Sequence, residues 1–239
     1  MQKSSVSFVI RTKNEERLIG TVLENLNQQT FRNFEIIVVD SGSTDKTLEI
    51  IGDFSIKLIQ IKPREFNFSY ALNLGIKNSK GKYIAIISGH SIPISKTWLA
   101  DGLNNFQNRK VAAVTGYYNE VPIGYFSEKL GRSFSRLYQN KRLNFCPWMT
   151  NTNALIKKSL WEKYPFDEKL TKGCEDYDWA SEMLARDYNV IKDPKFSVFH
   201  SHLTLGKPGY LQMVPIWEKI VTIIDKRNRP RKSFSRLRT

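Results

Sequence analysis

The stretch that most restricts how this chain folds is Glu35-Ile36-Ile37-Val38-Val39-Asp40-Ser41-Gly42-Ser43-Thr44-Asp45. A β-branched apolar run ends in an acid. A small-residue turn and an amphipathic helix pattern follow. A strand buried on both faces reads this way in a parallel sheet. The junction after such a strand, at its carboxyl end, is where open α/β sheets seat their ligands. A carboxylate followed by Ser-Gly-Ser suits a polar, hydroxyl-rich ligand such as a nucleotide.

The flanking pattern repeats that unit. Strands are predicted at Val6 to Ile10, Glu35 to Val39, Lys57 to Ile61, Tyr83 to Ile87 and Val111 to Thr115. Between them, apolar residues fall at helical spacing: Leu18, Ile19, Val22, Leu23 and Leu26, then Leu48 and Ile51 behind a Ser43 or Thr44 N-cap. Ala71, Leu72, Leu74, Gly75 and Ile76 mark a third helix, and Trp98, Leu99 and Leu103 a fourth. Alternation at this spacing predicts a doubly wound, mostly parallel α/β sheet of Rossmann-like type. The second half is less regular. Helices are predicted at Tyr125 to Arg142, Glu175 to Arg186 and Tyr210 to Ile224, with strands at Asn153 to Ile156 and Lys195 to Phe199. A single domain is expected over residues 1–205, with a nucleotide half (1–117) and an acceptor half (118–205). Residues 206–239 form an amphipathic helix and a basic tail.

The 239 residues carry a net charge of +14, much of it in the run from Lys226 to Arg238. Such an excess suggests nucleic acid, anionic lipid or phosphorylated ligands. The tail reads either as a solvated end or as a surface-binding segment. With the stripe Leu211, Val214, Trp217, Ile220, Val221 and Ile224, it suits either packing on the parent domain or docking on an anionic membrane surface. Cys146 and Cys174 lack metal-ligand spacing and fit a reducing cytoplasm. No leader is read before the first strand, and no apolar run approaches the ~20 residues of a bilayer span. The expected location is cytoplasmic, with the inner face of the cell membrane as a peripheral site.

Several segments, in order, resemble one known family. They are Ser7-Phe8-Val9-Ile10-Arg11-Thr12-Lys13-Asn14-Glu15, Gln29-Thr30-Phe31 with the Glu35–Asp45 stretch, and Ala71-Leu72-Asn73-Leu74-Gly75 with Lys80-Gly81-Lys82-Tyr83. Asn151-Thr152-Asn153-Ala154, Phe166-Asp167-Glu168 and Glu175-Asp176-Tyr177-Asp178-Trp179 complete the set. From Val6 to His202 the chain resembles the inverting family 2 nucleotide-sugar glycosyltransferases of GT-A fold, nearest in flavour to bacterial polysaccharide rhamnosyltransferases. The resemblance implies a nucleotide-diphospho-sugar donor and a glycan or polyprenyl-diphosphate-linked acceptor. It places Asp40 at the nucleotide base and makes Asp176 the residue that takes the acceptor's proton, with Glu175 beside it.

On this reading Thr12, Asn14 and Glu15 form the wall opposite Asp40. Gly42, Ser43, Asn73, Ser88 and Gly89 complete the nucleotide side. Arg11 reads as a phosphate contact or as a solvated charge. Asp45 reads as a helix-start acid. Trp148, Asn151 and Thr152 are the acceptor candidates, Trp148 being either an exposed stacking ring or a core residue. Adjacent acids at a helix start can differ in environment, one acting as base and the other orienting. The plain alternative is a helix cap worth ~0.3–1 kcal/mol.

One departure stands out. Where the family places Asp-x-Asp after the central strand, this chain has Ser88-Gly89-His90. Either His90, with His200 or His202, ligates a divalent cation (Mn2+ or Mg2+), or no metal binds and His90 with nearby Lys and Arg neutralises the diphosphate directly. Rival readings are a sugar-nucleotide nucleotidyltransferase, a basic nucleic-acid-binding protein, and a non-catalytic member of the same fold. The first expects a Gly-rich loop where Arg11-Thr12-Lys13-Asn14-Glu15-Glu16 stands. The second expects a basic cleft, whereas the acids here would repel phosphates, so no nucleic acid partner is expected.

Overall fold

Strand β1 (Val6–Thr12) is buried from Val6 to Ile10, because parallel neighbours lie on both sides of it. In a computed structural model describing residues 5–119, 142–144, 146–200 and 210–227, β1 sits between β2 (Phe34–Asp40) and β4 (Tyr83–Ser88). β3 (Lys57–Gln60) edges the sheet beside β2. On the other side come β8 (Asn153–Lys157), β6 (Val111–Thr115) and β9 (Asn189–Lys192), giving the order β3-β2-β1-β4-β8-β6-β9. β8 runs antiparallel to both β4 and β6, so one reversed strand interrupts an otherwise parallel sheet.

Alternation along β1 sorts the core into two layers. Phe8 and Ile10 face α1 (Ile19–Asn27), α2 (Thr47–Gly52) and α4 (Trp98–Asn104). Val9 faces α3 (Phe68–Lys77), α5 (Lys158–Trp161) and α6 (Glu175–Ala185). Ile19, Val22, Leu23 and Leu26 are all fully buried, the stripe expected of α1. Each such aliphatic side chain contributes about 1.5–3 kcal/mol. α2 starts later than expected. Asp45, not Ser43 or Thr44, accepts from the Thr47 amide at 2.9 Å. Ser43 and Thr44 instead give their amides to Asp40 and Asn14.

A second sheet has three strands. β10 (Val198–Phe199) lies between β5 (Ile92–Pro93) and β7 (Tyr118–Asn119). The strand expected over Lys195 to Phe199 is shorter, because Pro194–Phe196 form a 3-10 turn capped by Asp193. That turn drives Phe196 onto Trp98, ring centroids 4.1 Å apart. Gly116 makes this possible: a Cβ there would lie 1.8 Å from the Phe196 carbonyl oxygen. Gly116→Ala should therefore destabilise the protein by at least about 3 kcal/mol in urea denaturation. A variant within about 1 kcal/mol of wild type would show that the Phe196 turn yields freely.

The last described helix, α7 (Tyr210–Asp225), matches the expected span. Its Ile224 is buried with Leu170 and Tyr177, whereas Val214, Ile216 and Ile223 are exposed. The packing reading thus holds for Ile224 and its neighbours Ile220 and Val221. Among the described residues no helix is long and apolar enough to cross a membrane. The Tyr125 to Arg142 helix (Arg142 apart), His202 and the tail beyond Arg227 lie outside the described residues.

Candidate active site

Thr12 and Asp40 end β1 and β2 in register. Thr12 donates its hydroxyl to Asp40 Oδ1 at 3.2 Å, and Ser43 donates to the same oxygen. Asp40 Oδ2 accepts the Gly42 and Ser43 amides, each at 3.0 Å. Gly42 has φ +83°, and a Cβ there would meet Pro63 Cγ at 2.6 Å. Asp40 is fully buried. Its carboxylate is therefore engaged in building the turn. Asn14, at φ +54°, accepts the Thr44 amide at 2.8 Å and donates its own amide to Ser43 Oγ at 2.9 Å. Glu15 donates its amide to Thr47 Oγ1 at 2.7 Å. Hydrogen bonds thus lace the loops after β1 and β2 into one wall.

At the end of β4, His90 Nδ1 lies 2.9 Å from Glu15 Oε1 and 3.1 Å from Ser88 Oγ. Its ring stacks on His200, with centroids 4.6 Å apart and planes 21° from parallel. His200 Nδ1 is 2.9 Å from Ser91 Oγ. Gly89 lets this turn close on β1, since a Cβ there would lie 3.0 Å from Thr12 Cγ2. Two of the three histidines therefore meet as the sequence suggested. Imidazole lone pairs lie in the ring plane, and near-parallel stacked rings do not aim them at a common point. Among the described residues, no three His, Cys, Asp or Glu converge as a metal site. Among the described residues, His90 and His200 by themselves do not form a closed site for a divalent cation.

The acidic pair begins α6 behind a left-handed turn, Gly173 at φ +101° and Cys174 at φ +69°. Asp176 Oδ2 accepts the Asn151 amide at 3.0 Å, and Oδ1 accepts its neighbour Tyr177's amide at 2.8 Å. Asn151 Nδ2 donates to Glu175 Oε1 at 3.1 Å. Arg11 Nη1 lies 3.7 Å from the same Glu175 oxygen. Burial, and then the Glu175 charge, push the Asp176 carboxyl up to about 7. Burial, with Asp176 and Glu175 beyond it, pushes the Cys174 thiol up to about 12. The Asn151 side-chain amide oxygen, Oδ1, is buried with no donor among the described residues. A ligand hydroxyl would satisfy an acceptor that is otherwise costly to bury.

Thr152 ties this loop to the sheet, its carbonyl accepting the Ser88 amide at 3.1 Å. Trp148 is 61% exposed, which decides against a core role, and its ring lies 4.7 Å from that of Tyr177. The acidic pair and the Asp40 turn meet at the carboxyl rim of β1, where consecutive residues Arg11 and Thr12 reach one each.

Two expectations need correction. Asn73 is not available to a nucleotide. Its amide donates to Glu168 Oε1 (2.8 Å) and the Phe166 carbonyl (2.9 Å), and its oxygen accepts Trp161 Nε1 (2.9 Å) and the Phe166 amide (3.2 Å). All four of its hydrogen-bonding positions are filled. Arg11 is neither a solvated charge nor turned to the Asp40 wall; it faces Glu175. The sequence reading also missed Arg227, which joins Asp178 and Asp167 at 2.9 and 2.8 Å. Its partners lie 49 and 60 positions away, beyond any local pattern.

A family model described as "Glycosyl transferase family 2" matches residues 7–164. The O-antigen chain rhamnosyltransferase RfbN of Salmonella typhimurium is 25% identical over 208 residues, covering 82% of this chain and 66% of that protein. A Methanococcus voltae protein, dolichyl N-acetyl-alpha-D-glucosaminyl phosphate 3-beta-D-2,3-diacetamido-2,3-dideoxy-beta-D-glucuronosyltransferase, is 34% identical over 128 residues, 48% of this chain and 40% of the relative. The chain thus spans less than two thirds of these relatives' own length. Among solved structures, the mannosyltransferase PcManGT from Pyrobaculum calidifontis, in complex with GDP-Man and Mn2+, superposes with a TM-score of 0.74 at 20% identity. It covers 96% of this chain and 67% of that one. That likeness is one of fold, the GT-A architecture.

Proposed function

Because the chain belongs to glycosyl transferase family 2, we propose that it moves a sugar from a nucleotide-diphospho-sugar to a hydroxyl of a glycan or polyprenyl-diphosphate-linked acceptor, in assembly of a surface polysaccharide. The observation that carries this reading is the setting of Asp176. It is half-buried, anchored by two amides, and raised to about 7, the range suited to a base near neutral pH. Asp176 takes the proton as the acceptor oxygen attacks the anomeric carbon. The bond from that carbon to the diphosphate oxygen breaks, and the nucleoside diphosphate leaves with the electron pair. One displacement from the opposite face inverts the anomeric centre.

The wall formed by Thr12, Asn14, Asp40, Gly42 and Ser43 shapes the nucleotide pocket. Ser88, Gly89, His90 and His200 border the diphosphate. Trp148, set on Tyr177 beside the base, offers an exposed ring for the apolar face of an acceptor sugar, with Asn151 and Thr152 next to it. The rhamnosyltransferase relative favours a hexosyl or deoxyhexosyl donor.

The test is thermal melting with UDP, dTDP, GDP and ADP, each with Mn2+ and with EDTA. UDP or dTDP should stabilise most. At 100 times Kd a ligand contributes about 2.7 kcal/mol, or about 5–10 °C for a domain of this size. The shift should persist in EDTA if His90 and His200 themselves border the diphosphate, and be lost if a divalent cation holds it. No shift with any of the four would remove the donor-site assignment.

A further inference from the structure

Arg11 precedes Thr12 on β1, and strand alternation sends their side chains to opposite faces. Thr12 goes to the Asp40 turn, and Arg11 goes to the layer containing α3 and α6. There the guanidinium lies over the Phe68 ring, 4.9 Å from its centroid, and Nη1 donates to the Phe68 carbonyl at 3.4 Å. The same nitrogen is 3.7 Å from Glu175 Oε1. The Arg11 side chain is 18% exposed and that of Glu175 only 4%. A buried carboxyl next to a half-buried one calls for a nearby cation or a shared proton. Arg11 supplies the cation, and it sits on the Glu175 side.

The surroundings of Asp176 make that placement consequential. On its own stretch it is flanked by Glu175 and the Cys174 thiol. Tyr177 turns its hydroxyl to Asp225, and Asp178 receives Arg227 and the Tyr164 hydroxyl. From the β8 side, Asn151 contributes only an amide. Arg11, from β1, is the cation whose field reaches both acids of the pair. Its own burial lowers its affinity for a proton, partly offset by Glu175 and Asp176.

We infer that Arg11 is a positioning residue for the base and not a donor-phosphate ligand. By its charge beside the Glu175 carboxyl it fixes that side chain and, through it, Asn151, whose amide in turn fixes Asp176 as the acid that exchanges a proton with the acceptor. This rests on the reading of Asp176 as base, but its test does not need turnover.

The experiment is carboxyl carbon-13 NMR titration of the labelled full chain, with the Asp176 signal assigned by its loss in Asp176→Asn. Arg11→Met keeps a stem to pack on Phe68 and removes the charge. The Asp176 midpoint should rise by about one pH unit in Arg11→Met and return to within about half a unit of wild type in Arg11→Lys. Calorimetric Kd for UDP, the probe ligand, should change less than about threefold in both, since neither variant touches the nucleotide wall. An unmoved midpoint overturns the inference. So does a UDP affinity about tenfold weaker in Arg11→Met, the mark of a lost charge-assisted phosphate contact. If Asp176→Asn retains transfer, the base assignment fails, whatever the titration of Arg11→Met shows.

Discussion

Asp176→Asn should lower kcat by on the order of 10²–10⁴, the usual contribution of a positioned general base, while the Kd for the nucleoside diphosphate stays within about threefold of wild type. The amide keeps the shape of the carboxylate and one of its acceptor oxygens, but it cannot take a proton from an attacking hydroxyl. In the wild-type protein the carboxyl, raised to about 7, must be ionised to act. Transfer should therefore climb as pH rises through about 7 and level off above it. The same displacement acts on stability. Between the ordinary aspartate range near 4 and the folded value near 7, the native state binds more protons than the unfolded chain, so stability falls as pH rises across that window. Asp176→Asn should flatten that decline. Melting curves at pH 5 and pH 8 would show it without any substrate. A wild-type kcat that is constant from pH 5 to 8, or an Asn variant that retains transfer, would end the assignment of Asp176 as base.

The sequence disclosed the parts of the fold whose residues repeat a clear period. β1, β2 and β4 are continuous apolar runs because both faces are covered, and the α1 stripe is uninterrupted. β9 escaped notice, since Asn189-Val190-Ile191-Lys192 offers only two apolar residues between polar ends. The reversal of β8 was also hidden, because side-chain alternation is the same in either direction. In the site, Glu175 and Asp176 stood out as neighbours at a helix start. Asn73 misled for the opposite reason. Its partners Trp161, Phe166 and Glu168 lie 88–95 positions later, so nothing near it revealed that its amide was already occupied. The pairing of Glu15 with His90 spans 75 positions and was illegible in the same way. Arg11 likewise read as a phosphate contact or a solvated charge, and only the approach of Glu175, at the start of α6, shows which acid it faces.

Arg227→Met should destabilise the protein by about 2–3 kcal/mol, the second large effect. Arg227 follows α7 and joins two acids from different segments, Nη1 to Asp178 Oδ1 and Nη2 to Asp167 Oδ2. Asp178 is fully buried, and its other oxygen accepts the Tyr164 hydroxyl at 2.9 Å. Removing the cation from a buried pair strands a charge and costs ~3–5 kcal/mol. The Arg227 head is 30% exposed, so water recovers part of that cost. Asp178 lies two residues beyond Asp176 on α6, and α7 also ties down the approach to that helix through the Trp217 indole, which donates to the Lys172 carbonyl at 2.8 Å. Loosening α7 should therefore reduce kcat more than nucleotide affinity, because the proposed nucleotide wall is built by the loops after β1 and β2. The discriminating measurement is a double-variant cycle in urea. Asp178→Asn removes the stranded charge while keeping a partner for Tyr164, so Arg227→Met combined with Asp178→Asn should recover at least about half of the single-variant loss. Equal losses in the single and double variants would mean that α7 is held by its apolar contacts at Ile224 and that the ion pair adds little.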